Sequence, residues 1–266
     1  MTTIKMNHDA GFFSVCNINL RTILGHYSNT KEFCIIDTKS QWNYYKDQAE
    51  DVYNKFFSFK DDVFDVEIKR FSESNDEDQF SDYGLINYDF ITPFVKKYFY
   101  PNEEVLYIKK NLIEKYDLET NKLISVCYRG NDKSKETNLP TYSDFELKLD
   151  EISSNFPDHK ILIQSDEKEF CDYFKRKNQN YIVIEEIEKI ISTPYSAIQY
   201  SIPQGTKIKN AQTFLAIMMI MSESDIVITN SGNVGLWICL YRGNNKNVHQ
   251  FLSPKGTDKK EWIVGK

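Results

Sequence analysis

The sequence predicts an α/β fold in which a parallel sheet is covered by helices on both faces. Two observations in its second half carry this expectation. Short apolar runs rich in β-branched residues recur along the chain, and segments of helical period separate them. A third observation is bulk. With 266 residues, 41% of them apolar and 14% aromatic, the chain has material for about two domains or one large one, and global disorder is excluded.

The first half is the less regular. Gly11, Phe12, Phe13 and Ser14 lead into a helical pattern through Ile18, Ile23 and Leu24. Residues 33–36 read as a strand, and Trp42, Tyr45, Ala49, Val52 and Phe56 fit one amphipathic helix. Residues 72–82 (SESNDEDQFSD) are acidic and read as an exposed loop. A helix over 103–116 leads to a junction near 117–121. The expected division is therefore an α/β domain over 1–118 and a Rossmann-like domain over 119–266.

In the second half, residues 123–128 (LISVCY) are apolar enough for a buried strand. After a polar loop, Ser143 and Glu146 have the spacing of a capping box before a helix that carries Phe145, Leu149, Ile152 and Phe156. Residues 161–163 form the next strand. Asp166 and Glu169 open a helix bearing Phe170, Tyr173 and Phe174, and 181–184 reads as a third strand. An irregular stretch over 192–205 precedes an apolar helix at 211–222, a strand at 226–228, a helix at 231–241 and a strand at 248–252.

Composition removes several classes. Thirty-three Lys and Arg against 39 Asp and Glu leave a net charge of −6, and a pI near 5.4 argues against a nucleic-acid binder. A local basic pocket for a phosphorylated small molecule is compatible with that balance. The apolar run 214–221 is too short to span a membrane, and the N-terminus lacks the apolar core of a signal peptide. Five widely spaced cysteines without a CxxC pair predict a reduced, cytoplasmic protein. The four histidines show no metal-ligand spacing, and no Walker loop, GxGxxG or GxSxG motif occurs.

Three segments can carry chemistry. Arg129, Asp132, Lys133 and Glu136 follow the first buried strand. Arg129 can grip phosphate oxygens bidentately, Lys133 adds a mobile charge, Asp132 can fix the arginine, and Glu136 can accept a proton. Ser231, Gly232 and Asn233 sit where a strand gives way to a helix, and free amides there favour anions. Ser165 and Asp166 close the 161–163 strand. Each segment alone also reads as an ordinary turn or helix cap. Their common position at the carboxyl ends of parallel strands predicts convergence on one cleft. Cys127 is either activated by Arg129 or inert core, and Tyr98, Phe99 and Tyr100 are either core or an acceptor groove.

Taken in order, the three segments resemble the fucosyltransferase superfamily of α1,2-, α1,6- and protein O-fucosyltransferases and the bacterial nodulation enzyme. The family's H-x-R-R/G-x-D-K element is matched by Cys127-Tyr128-Arg129-Gly130-Asn131-Asp132-Lys133, followed by Glu136. Ser165-Asp166 matches its T/S-D element, and Asp225 through Val234 matches D-x-x-x-T-x-S-S/G-x-V. The match covers about residues 120–240. Gly11, Phe12 and Phe13 are a looser match on the acceptor side. The sequence departs from the pattern at Cys127 (histidine in the family), at Gly130 (arginine in the α1,6 enzymes), and in the apolar 214–221 helix, where the family has a carboxylate.

The resemblance implies a GT-B fold: two Rossmann-like domains with parallel sheets facing a cleft. It implies inverting transfer of fucose from GDP-fucose to a glycan, with no metal and no cofactor beyond the donor. Arg129, Asp132 and Glu136 would be catalytic. Arg129, Lys133, Ser165, Asp166, Ser231, Gly232 and Asn233 would hold the donor. Another nucleotide sugar, a catalytically silent nucleotide- or glycan-binding module, and a phosphotransferase or nucleotide hydrolase are the competing readings.

Overall fold

A computed structural model of the chain describes residues 1–48, 50–60, 79–194 and 197–266. Most of the acidic stretch over 72–82 therefore lies outside the described residues, which include only its end, 79–82.

In the first half, strand β1 (Thr2–Lys5) leads through Gly11 into helix α1 (Phe12–Thr30), and β2 (Cys34–Asp37) returns parallel to β1. The expected helix from Trp42 to Phe56 does not form as one piece. Trp42 adopts a left-handed backbone (φ 53°) before a 3₁₀ turn at Asn43–Tyr45, and Lys46 is extended, so only helix α2 (Tyr53–Phe56) follows. The apolar spacing there records burial alone, for Trp42, Val52 and Phe56 are fully enclosed. Strand β3 (Phe57–Ser58), helix α3 (Tyr88–Tyr98), β4 (Tyr100–Pro101), which pairs antiparallel with β3, and helix α4 (Glu103–Lys115) complete this half. Tyr98 and Phe99 are core, and the Tyr98 hydroxyl donates to the Cys34 carbonyl at 2.7 Å.

The second half begins with β5 (Leu123–Tyr128), buried at all six residues. Helix α5 (Tyr142–Ser153) follows; its capping box is Thr141 with Asp144, not Ser143 with Glu146. Thr141 sits directly after Pro140 and takes the cap, leaving Glu146 to pair with Lys177 at 2.9 Å. Next come β6 (Lys160–Ser165), α6 (Lys168–Lys177), α7 (Lys207–Glu223), β7 (Ile226–Asn230), α8 (Asn233–Arg242), β8 (Val248–Leu252) and β9 (Glu261–Val264). The sheet order is β6-β5-β7-β8-β9, parallel except for the antiparallel β9. This is the α/β layering the sequence predicts.

The expected strand at 181–184 shrinks to a single parallel bridge between Ile182 and Leu162. The chain then leaves the sheet, and the Glu185 amide donates to the Tyr116 hydroxyl. Helix α8 stops at Gly243, whose φ of 71° disfavours any side chain. The largest apolar cluster draws on both halves. Trp237 of α8 is fully buried, stacked on Phe13 (centroids 5.5 Å apart) and edge-on to Phe99.

Candidate active site

Parallel pairing sets Tyr128 beside Ser165 on β6 and Cys127 beside Thr229 on β7, so the loops after these three strands leave the sheet at one edge. Asn230 binds Arg129, the residue just after β5, at two points. Its side-chain oxygen accepts from the Arg129 amide at 2.9 Å, and its nitrogen donates to the Arg129 carbonyl at 2.9 Å. The Arg129 guanidinium donates to Asp132 at 2.9 Å and is ion-paired with Asp166. Asp166 also accepts from the Gly130 amide at 3.0 Å and from the Asn131 side chain at 2.7 Å. It therefore does not cap α6; it braces the arginine loop.

Beneath that loop lies Glu167, only 3% exposed. It accepts from the Asn131 amide at 2.5 Å, the Tyr142 hydroxyl at 2.6 Å and the Ser192 hydroxyl at 3.1 Å. A β-carbon added at Gly130 would overlap the Glu167 carboxylate and stand 2.7 Å from the Tyr128 ring. Close packing thus accounts for glycine at the position where the α1,6 enzymes carry arginine.

Lys133 is enclosed, with its ammonium 2.6 Å from Glu136, 2.8 Å from the side-chain oxygen of Gln79 and over the Phe80 ring. Burial pushes the Lys133 pKa below the ordinary lysine value, and Glu136 opposes that shift. The same Gln79 oxygen accepts from the Asn233 amide, the first of α8, at 3.1 Å. One neutral oxygen thus receives both a cation and a helix N-terminal amide.

The other expected donor groups lie differently. Ser231 faces inward; its hydroxyl donates to the Phe251 carbonyl and accepts from Gln250 at 3.0 Å. The Gly232 amide donates to the Tyr83 hydroxyl at 3.0 Å. The Ser165 hydroxyl accepts from the Glu167 amide at 2.9 Å. Arg129, Asp132, Lys133, Glu136 and Asn233 share one open cavity of about 310 Å³, within the range of ligand sites. Gly11, Phe12 and Phe13 line its far wall, although both rings are rooted in the core. Ser165 and Asp166 instead line a smaller apolar hollow that also reaches Arg129.

Two further expectations resolve. Burial pushes the Cys127 thiol up to about 12, so it is inert core. Asp225, first residue of the third matched segment, stands at the opposite end of β7 and meets His159 at 2.9 Å. Asn230, Glu167, Gln79 and Tyr83 were not anticipated. Asn230 lay in plain view as a polar residue ending an apolar strand. Gln79 sat inside a segment that read as solvent-facing, and nothing around Tyr83 pointed to the cleft.

Structure comparison decides the architecture. The NodZ α-1,6-fucosyltransferase soaked with GDP-fucose superposes with a TM-score of 0.60 and 12% sequence identity, over 100% of this chain and 99% of that one. The fold is that of the GT-B fucosyltransferases. NodZ co-crystallised with GDP gives 0.59 at 12% identity over 99% and 98% of the two chains. The Bradyrhizobium NodZ structure gives 0.58 at 12% identity, over 100% and 99%. No protein-family model and no curated protein matches the sequence. The cavity lies at the carboxyl edge of the parallel sheet, where open α/β sheets take ligands. Among the described residues, no three His, Cys, Asp or Glu side chains are grouped to hold a metal ion, and no helix is long and apolar enough to cross a membrane.

Proposed function

We propose that this protein is an inverting, metal-independent glycosyltransferase that moves fucose from GDP-fucose to an acceptor hydroxyl. The observation that carries this reading is the Gln79 oxygen held between the Lys133 ammonium and the Asn233 amide, next to Arg129. An oxygen gripped by a cation and a helix N-terminus stands where a phosphate oxygen would be held. The shared fold adds support, since NodZ was solved with GDP-fucose and with GDP.

In this mechanism the diphosphate lies against Arg129, Lys133 and the start of α8. The acceptor oxygen attacks the anomeric carbon from the opposite face, the carbon–phosphate oxygen bond breaks, and its electron pair leaves with GDP. Arg129 and Lys133 stabilise the charge that grows on the leaving group, an effect worth about 3 kcal/mol per well-placed donor. Asp132 and Asp166 hold the guanidinium in place before substrate arrives, so little reorganisation is needed. Glu136, within the cavity, receives the acceptor proton.

The test is calorimetric. GDP in the presence of EDTA raises the melting temperature of the wild-type chain. Arg129→Ala lowers the rate of GDP release from GDP-fucose by about 10²–10³-fold, with a circular dichroism spectrum unchanged from wild type. Absence of a GDP-dependent shift, together with no GDP release in the presence of glycan acceptors, overturns the proposal. A GDP shift without any turnover identifies a silent nucleotide-binding module instead.

A further inference from the structure

The cavity has a second wall of different chemistry. Asp9, Tyr44, Gln199 and Tyr200 line it together with Arg129 and Lys133. Tyr200 ends a short 3₁₀ turn at Ile198–Tyr200 and is 62% exposed. Tyr44 lies in the turn at Asn43–Tyr45 and meets Tyr200 edge to face, with centroids 5.1 Å apart and planes at 86°. Each ring therefore buttresses the other at the cavity mouth.

Asp9 is positioned rather than loose. Its two oxygens accept from the Asn43 amide at 3.1 Å and the Asn43 side chain at 2.8 Å. Among the described residues it has no ion-pair partner, unlike Asp132 and Glu136 in the same cavity. The hydrogen bond with Tyr200 chiefly, then burial and Asp9, holds the Tyr44 hydroxyl above its ordinary pKa.

An anion suits the wall of Arg129 and Lys133; it does not suit this one. An aromatic face carries partial negative charge and attracts the partly positive C–H groups of a sugar's apolar face. A fixed carboxylate accepts hydroxyl protons and repels other acids. We propose that Tyr44, Tyr200 and Asp9 form an acceptor subsite for a neutral pyranose, its C–H face on the tyrosine pair and one hydroxyl on Asp9. This rests on the transferase reading above and adds the acceptor's chemistry: an uncharged hexopyranoside, with uronic and sialic acids excluded.

Saturation-transfer NMR on the full chain, with GDP present, tests it using methyl β-galactopyranoside, methyl β-glucopyranoside and methyl β-glucuronide. The expected result is saturation of ring C–H protons in at least one neutral glycoside and none in the glucuronide. Tyr200→Ala reduces the neutral signal at least fivefold while the GDP melting shift stays at its wild-type value. Asp9→Asn lets the glucuronide bind. An absent neutral signal in the wild type, or one that Tyr200→Ala leaves unchanged, overturns the subsite. A missing GDP shift in the wild type fails the donor reading instead, and the saccharide signal is read separately from it.

Discussion

The two walls of the cleft are held by opposite means. On the sheet side, residues 128–136 are fixed by polar contacts: Asn230 on the Arg129 backbone, Asp132 and Asp166 on its guanidinium, and Glu167 under Asn131. On the facing side, Phe12 and Phe13 are fixed by ring packing, with Trp42, Phe56, Trp237 and Phe99 behind them. Ring packing is worth kilocalories of stability but tolerates modest shifts in position. A charge network contributes less to stability and far more to placement. The difference teaches that damage to the two walls should be separable: one loses the fold, the other the ligand.

The sharpest way to break that separation is Trp237→Ala. Its side chain is fully buried, so truncation should cost about 3–5 kcal/mol, read by urea unfolding, with GDP affinity per folded molecule unchanged. A large loss of affinity in the folded fraction would show that the aromatic wall positions the ligand as well.

Gly130→Ala probes the other wall. The added methyl meets Glu167 and Tyr128, so the arginine loop must move, at about 1–3 kcal/mol. The expected outcome is a tenfold or greater weakening of GDP binding in a titration. Smaller again is Gln79→Ala. It removes the oxygen that competes for Lys133 and the Asn233 amide, so GDP should bind severalfold more tightly, on the scale of about 1 kcal/mol for one hydrogen-bonding group.

The mildest test concerns acid. Burial chiefly, with help from Lys148, lowers the His249 pKa below its ordinary value. The unfolded chain therefore takes up this proton more readily than the folded one. Stability from this group is present above the ordinary histidine pKa and is lost as pH falls through the folded value. The melting temperature of the wild type should fall more steeply below pH 6.5 than that of His249→Gln. Equal slopes would sink the assignment.

The sheet and its carboxyl edge were legible in the sequence because buried parallel strands are continuous apolar runs and their ends turn abruptly polar. Arg129, Asp132, Lys133 and Glu136 could be placed for that reason, and they share one cavity. The first half was less legible. Among its described residues, parallel pairing involves only β1 and β2, and β1 has no buried residue and so no apolar signature. Trp42 to Phe56 imitated a helix because irregular chain can bury residues at helical spacing. Glu167 was missed because a carboxylate's burial depends on donors far along the chain, here Tyr142 and Ser192.

Strand β9 has a consequence beyond the site. It runs against β8 from Glu261 to Val264 and is the sheet's outermost rung on that side. Without it, the hydrogen-bonding groups of β8 would face open water as a ready template for a neighbouring molecule's backbone. The four residues of β9 thus satisfy the outer groups of β8 and take the sheet's edge onto themselves.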